Sequence, residues 1–341
     1  MNRRELFLLL LMALCSSGIA RAATVDVLVP AYANPCCGGG PDMWTKLIAS
    51  ASDPQRNFEL NAIFNPASGP GIGRAPNYLD AAGDGVLARF VAAGGVARGY
   101  VATGNATRAL SAVKADVDAY LTGQYAGFID GIFFDEMSNN LADVGYYREL
   151  NSYVKSIRAK ARTFGNPGLP FINNPTNQKT FTAADYISSM DTIVSFENTG
   201  SVYLNSYQSF PYLEGLGPRQ IAHIVHSQAN WDAGLVAQAA ARGAGYLYVT
   251  DDLFLPNPYD ALTSYWPRFT ADVAAFNVRQ ASVVAESVSS GLMLLGLGLV
   301  MMLGKLAQPG ACVFGGRDRR RSRSNNSRIG FFVCNFGAWI T

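Results

Sequence analysis

With 341 residues, 49% of them hydrophobic and only 15% charged, the chain has ample apolar material for a large core and too little charge for a disordered protein. The formal net charge is +2, and much of the basic excess sits in Arg317, Arg319, Arg320, Arg321, Arg323 and Arg328. Setting that run aside leaves a body with no basic patch for nucleic acid, and one domain of about 250 residues between two tails is expected.

The N-terminus carries Arg3 and Arg4, an apolar run over 6–14 and the small-residue pattern Ala20-Arg21-Ala22 before Ala23. This order predicts a secretory signal peptide over 1–22, so the mature protein would be secreted or held at the cell surface. From residue 23 to 277, short β-branched runs alternate with amphipathic stretches, the pattern of strand–helix units around a parallel sheet. The strands are predicted at 25–32, 58–65, 96–103, 128–135, 170–174, 192–197, 220–226 and 246–251. The clearest helices are predicted at 78–93, 107–121, 143–162, 231–242 and 259–276. In 143–162 the residues Val144, Tyr147, Leu150, Val154, Ile157 and Ala161 recur three or four apart and give one apolar face. Eight such units predict a closed (β/α)8 barrel, a TIM barrel in the α/β class.

Beyond the barrel, residues 278–341 read as a linker, a hydrophobic segment and an Arg-rich tail. Residues 288–304 carry no charge and Lys305 follows them; the segment is near the shortest length that spans a bilayer, and attachment to a membrane or cell surface, a sorting signal or a plain extension all fit it. Cys36 and Cys37 are adjacent, which disfavours a bridge between them, and no cysteine spacing suits a structural zinc.

Polar residues gather where the predicted strands end: Tyr32, Asn65, Thr103, Asp135-Glu136, Asn173-Asn174, Glu197-Asn198, His226 and Asp251-Asp252. In a barrel of this kind the C-terminal rim of the strands is where active sites are built, because all eight loops converge there. Gly131-Ile132-Phe133-Phe134-Asp135-Glu136 sets two acids directly after a buried run, where burial and a neighbouring carboxylate both favour holding a proton. Side chains alternate along a strand, so Asp135 is expected to face the mouth and Glu136 to support it or bind substrate. Ser195-Phe196-Glu197-Asn198 repeats the pattern two strands later. Opposed carboxylates are what glycosidic cleavage requires, which makes Asp135, Glu136 and Glu197 the candidate catalytic residues.

Tyr32, Asn65, Tyr100, Asn174, His226 and Asp251 are candidate substrate contacts on the same rim. His223 and His226, the only histidines, fall on opposite faces of a strand, so no metal site and no cofactor are expected. A metal-dependent deacetylase is disfavoured on the same ground.

Five stretches carry a resemblance: Val29-Pro30-Ala31-Tyr32, Asn65-Pro66-Ala67-Ser68-Gly69-Pro70-Gly71, Gly99-Tyr100-Val101-Ala102-Thr103, Gly131-Ile132-Phe133-Phe134-Asp135-Glu136 and Val194-Ser195-Phe196-Glu197. In that order, between 25 and 276, they resemble the spherulin-4 (spherulation-specific) family. Cys36-Cys37-Gly38-Gly39-Gly40 departs from the family's Pro/Ser-rich turn. The resemblance implies a barrel with a carbohydrate groove. It is similar to fungal endo-acting hydrolases of galactosaminogalactan, a biofilm polysaccharide rich in α-1,4-linked N-acetylgalactosamine. It implies catalytic acids at Asp135, Glu136 and Glu197, with Asp135 as nucleophile and Glu197 as acid/base of a retaining reaction, and a polysaccharide as the partner. The rival expectation is a carbohydrate-binding or structural matrix protein that keeps the barrel without the reaction.

Overall fold

The computed structural model describes residues 24–36, 38–71, 73, 78–79, 85–168 and 183–306, with the backbone alone at 183 and over 287–306. Eight parallel strands follow one another around a closed barrel: β1 (Asp26–Ala31), β2 (Leu60–Phe64), β3 (Val96–Ala102), β4 (Ile129–Asp135), β5 (Arg162–Gly165), β6 (Thr192–Thr199), β7 (Ile221–His226) and β8 (Tyr246–Val249). Closure is made by β8 against β1, with Asp26 opposite Tyr246 and Val27 opposite Leu247. The fold is the (β/α)8 barrel that the alternating pattern predicts.

β1, β2, β7 and β8 are buried along their whole length, because their outer faces are covered and their inner faces fill the barrel. The described helices are α1 (Gly40–Ser52), α2 (Val86–Ala92), α3 (Leu110–Leu121), α4 (Val144–Ile157), α5 (Ala183–Ile187), α6 (Gly200–Asn205), α7 (Gly234–Ala241) and α8 (Trp266–Leu306). In α4 the face formed by Val144, Tyr147, Leu150 and Val154 is buried, as the spacing predicts.

The floor of the barrel is polar and fully bonded. The Arg98 guanidinium lies across it, donating to Asn61 Oδ1 at 2.9 and 3.1 Å and to the Asp130 carbonyl at 3.0 Å, and pairing with Glu59 at 3.3 Å. A side chain at Gly131 has no room there, since a Cβ would meet the Arg162 carbonyl oxygen at 2.2 Å and Arg98 Nη1 at 2.9 Å. Below the floor, Asn277 of α8 exchanges hydrogen bonds with both backbone groups of Val25 at 2.9 Å and donates to the Asn57 carbonyl at 2.7 Å, joining the two ends of the barrel sequence.

The fifth strand corrects the expectation. The chain leaves α4 at Ile157, with Arg158 extended at ψ 100°, and the strand that pairs with β4 and β6 is Arg162–Gly165 rather than 170–174. The apolar spacing misleads because Ala161 is buried in a loop while matching the helical period. Residues 170–174, with Asn173 and Asn174, lie outside the described residues. So do the signal-peptide segment, Cys37 and the tail from 307 onward.

Helix starts shift as well: α8 begins at Trp266, seven residues after the predicted Tyr259, because the preceding loop is held by Asp251. Residue contacts divide the chain into Met1–Ser289, with the whole barrel, and Ser290–Thr341. Among the residues whose side chains are described, no helix is long and apolar enough to cross a membrane; the uncharged segment 288–304 lies outside them.

Candidate active site

Strand alternation does most of the positioning. On β4 Phe133 and Asp135 share the inward face, and Phe133 stacks on the inward Phe164 of β5 with ring centroids 6.4 Å apart. At Glu136 the backbone turns into the left-handed region, φ 50°, which costs an ordinary residue about 1–2 kcal/mol. The turn is held from the loop after β3: the Glu136 carbonyl accepts from the Asn105 N–H and the Thr103 hydroxyl, both at 2.7 Å. Glu136 is exposed, on the lip of the cleft.

On β6 strict alternation would point Phe196 inward and Glu197 outward, because Thr192 is inward opposite Phe164. A bulge between Val194 and Phe196 reverses the two. Ser195 is the extra residue, so Phe196 packs outward on Tyr203 and His223, and Glu197 turns into the mouth.

There Asp135 and Glu197 meet across a single amide. Asn166, the residue after β5, donates from Nδ2 to Asp135 Oδ1 at 2.9 Å and to Glu197 Oε2 at 2.8 Å. Its own oxygen accepts the Gly168 N–H at 3.0 Å, which fixes the amide's orientation. The two bonded oxygens are therefore no farther apart than those two bonds laid end to end.

Three tyrosines close the shell. Tyr259 donates to Glu197 Oε1 at 2.5 Å, Tyr100 donates to Asp135, and Tyr32 stands edge-on to both rings with centroids 5.4 and 5.5 Å away. Burial, then the nearby carboxylates, raise all three phenols above their ordinary range, which keeps them neutral donors. Burial and then the charge of Glu197 push Asp135 up to about 6, against the hydrogen bonds from Tyr100, Glu136 and Asn166.

The cleft so formed holds about 200 Å³ and is lined by Pro30, Tyr32, Asp135, Glu136, Asn166, Pro167, Gly168, Glu197, Ile224 and Tyr259. A larger cavity of about 710 Å³ lies between α1 and α8, lined by residues such as Trp266, Ala274 and Val278, and holds none of these acids. The smaller cleft is the chemically equipped one.

Of the nine residues singled out in the sequence, Tyr32, Tyr100, Asp135, Glu136 and Glu197 come together here. His226 is buried at the end of β7, with Nδ1 3.0 Å from the Ser227 hydroxyl; burial pulls it down, while the charge of Glu197 opposes this. Asn65 accepts the Gly69 N–H at 3.1 Å, shaping its own loop. Asp251 accepts from Thr263 at 2.8 Å, from the Ser264 N–H at 3.0 Å and from the Ser264 hydroxyl, and so anchors the entry to α8. Asn174 lies outside the described residues. Asn166 is the residue that sequence reasoning missed, although Asn166-Pro167-Gly168 is a turn signature that follows the β-branched and aromatic pair Thr163-Phe164 after a single glycine. Tyr259, read in the sequence as the first residue of the last helix, was missed as well.

The model of spherulation-specific family 4 (Spherulin4) matches residues 26–273. Spherulin-4 of Physarum polycephalum is 28% identical over 261 residues, covering 74% of this chain and 71% of that protein. Among solved structures, Aspergillus clavatus Sph3 in complex with GalNAc superposes with a TM-score of 0.55 at 22% identity, over 74% of this chain and 98% of the other.

Proposed function

The chain belongs to spherulation-specific family 4, and we propose that it is a secreted or surface-held glycoside hydrolase acting within polysaccharide chains that contain N-acetylgalactosamine. The observation that carries this reading is the amide of Asn166 shared between Asp135 and Glu197. Two carboxylates about 5–5.5 Å apart serve a double displacement, whereas single displacement with a water between them needs roughly 6.5–9.5 Å. Hydrogen bonds of 2.9 and 2.8 Å to one nitrogen keep the facing oxygens closer than a single displacement needs, which supports the double displacement. The GalNAc bound to the Aspergillus barrel supports the choice of sugar.

In the proposed reaction Asp135 attacks the anomeric carbon while Glu197 protonates the departing glycosidic oxygen. The C–O bond to the leaving sugar breaks as the bond to Asp135 forms. Glu197 then takes a proton from water, which displaces Asp135 and leaves the sugar with its original configuration. The Tyr259 hydroxyl fixes Glu197 Oε1, and Tyr100 and Asn166 fix Asp135, so neither carboxylate has to be reoriented when substrate arrives. Glu136, at the lip, contacts the substrate rather than the reacting bond, and Tyr32 offers a ring face to a sugar.

The test uses purified mature protein and a polymer of α-1,4-linked N-acetylgalactosamine, with released oligosaccharides identified by mass. Release by the parent, and its loss in Asp135→Asn and Glu197→Gln with polymer binding retained, is the expected result. Binding without release in the parent would instead identify a carbohydrate-binding or matrix protein on the same barrel.

A further inference from the structure

Three consecutive large apolar side chains stand in solvent on the catalytic rim. Leu253, Phe254 and Leu255, in the loop after β8, are 68%, 58% and 75% exposed. Leaving such side chains in water forgoes the gain of burying them, and a contiguous patch of this kind marks a binding surface.

The loop is firmly built. The Asp252 carbonyl accepts the Ser227 N–H at 2.9 Å, the Asp252 N–H donates to Thr250 Oγ1 at 3.1 Å, and Asn257 Oδ1 accepts the Tyr259 N–H at 3.0 Å. The patch is also continuous with the cleft on two sides. The Phe254 ring lies 5.2 Å from the His226 ring, which follows the cleft residue Ile224 on β7. At the other end of the loop Tyr259 reaches Glu197.

We propose that Leu253, Phe254 and Leu255 form a further sugar-binding subsite, taking a hexosamine unit of the same glycan chain next to the bond that is cleaved. The apolar face of the ring and the acetyl methyl lie on Phe254, with hydroxyl groups turned toward His226. The charges around the patch favour a neutral glycan over a membrane surface. Asp251, Asp252 and Asp260 flank it, and no lysine or arginine occurs between Arg242 and Arg268 to meet an anionic headgroup. The subsite rests on the glycoside hydrolase reading above and extends it to the unit beyond the reacting bond.

The experiment compares the parent, Phe254→Ala and, as a control, Val283→Ala, whose side chain is exposed on α8. All three are assayed on a ladder of α-1,4-linked N-acetylgalactosamine oligosaccharides and on the polymer. The loss of kcat/KM in Phe254→Ala should grow with chain length to about tenfold on the polymer, through KM, while Val283→Ala follows the parent. If the parent cleaves the ladder and Phe254→Ala matches it at every length, the subsite is wrong and the hydrolase reading stands. If the parent cleaves nothing, the hydrolase reading fails, and calorimetric binding of the same oligosaccharides decides the subsite. Weaker binding by Phe254→Ala upholds it, and equal or absent binding overturns it. Sedimentation with phosphatidylserine-containing vesicles that depends on Phe254 would also overturn it.

Discussion

Asn166 gives one hydrogen to each carboxylate of the pair, and an alanine there would leave both free to drift apart. Asn166→Ala is expected to lower kcat about a hundredfold with KM little changed, since alignment of the reacting groups is lost and substrate contacts are kept; steady-state kinetics on a defined oligosaccharide measure the split. In the proposed reaction Asp135 must be ionised to attack the anomeric carbon. Because burial and the charge of Glu197 push Asp135 up to about 6, that carboxylate forms only as pH rises through this value. The acid limb of the kcat/KM profile should therefore rise through about pH 6, and a profile already at its plateau at pH 4 would contradict Asp135 as the nucleophile. Stability runs the opposite way. An unfolded aspartate titrates near 3.9, so folding favours the protonated form, and the stability Asp135 contributes is full below about pH 4 and lost as pH rises through about 6. Asp135→Asn should thus be more stable than the parent by about 1–3 kcal/mol at pH 7 and indistinguishable from it at pH 4, read by denaturant melts at the two pH values.

At the scale of single elements, β6 shows why the inward acids were only partly legible. The sequence around Glu197 alternates like any strand, and its pairing with Asp135 depends on one extra residue, Ser195, that no local pattern announces. Among the described residues the buried Ser195 hydroxyl has no hydrogen-bond partner. Ser195→Ala should therefore stabilise the fold by about 1 kcal/mol without lowering activity, as measured by thermal melts beside the hydrolysis assay. β5 was misplaced for a related reason: a four-residue strand beginning with Arg162 and Thr163 has too little apolar pattern to stand out from the end of a helix. The error carried a rim position with it, so Asn173-Asn174 were named where Asn166 does the bridging. β4 was legible because its buried run ends abruptly in two acids, whereas the left-handed turn that brings Glu136 to the lip of the cleft has no signal in the alternation. Gly131 is the tightest constraint on that strand. Gly131→Ala would drive a methyl into the Arg162 carbonyl and the Arg98 guanidinium, and soluble expression of the variant should be lost.

On the scale of the whole molecule, eight alternating units were enough to read a closed barrel from the sequence, because closure buries every strand on both faces and leaves no edge. The candidate site and the tie between the chain's two ends lie at opposite ends of the barrel. The carboxylates lie at the C-terminal rim, while Asn277 ties α8 to Val25 and Asn57 beneath the floor. Asn277→Ala leaves three backbone groups to find new partners, so it should cost roughly 2–4 kcal/mol in a denaturant melt and leave kcat of the folded protein unchanged. The most direct test of the paired carboxylates is time-resolved proton NMR of an α-1,4-linked N-acetylgalactosamine oligosaccharide during cleavage by the parent protein. The first new reducing ends should appear as the α anomer, before mutarotation supplies the β form. Initial β anomer, or no new reducing end at all, would contradict a retaining pair of Asp135 and Glu197 held by Asn166.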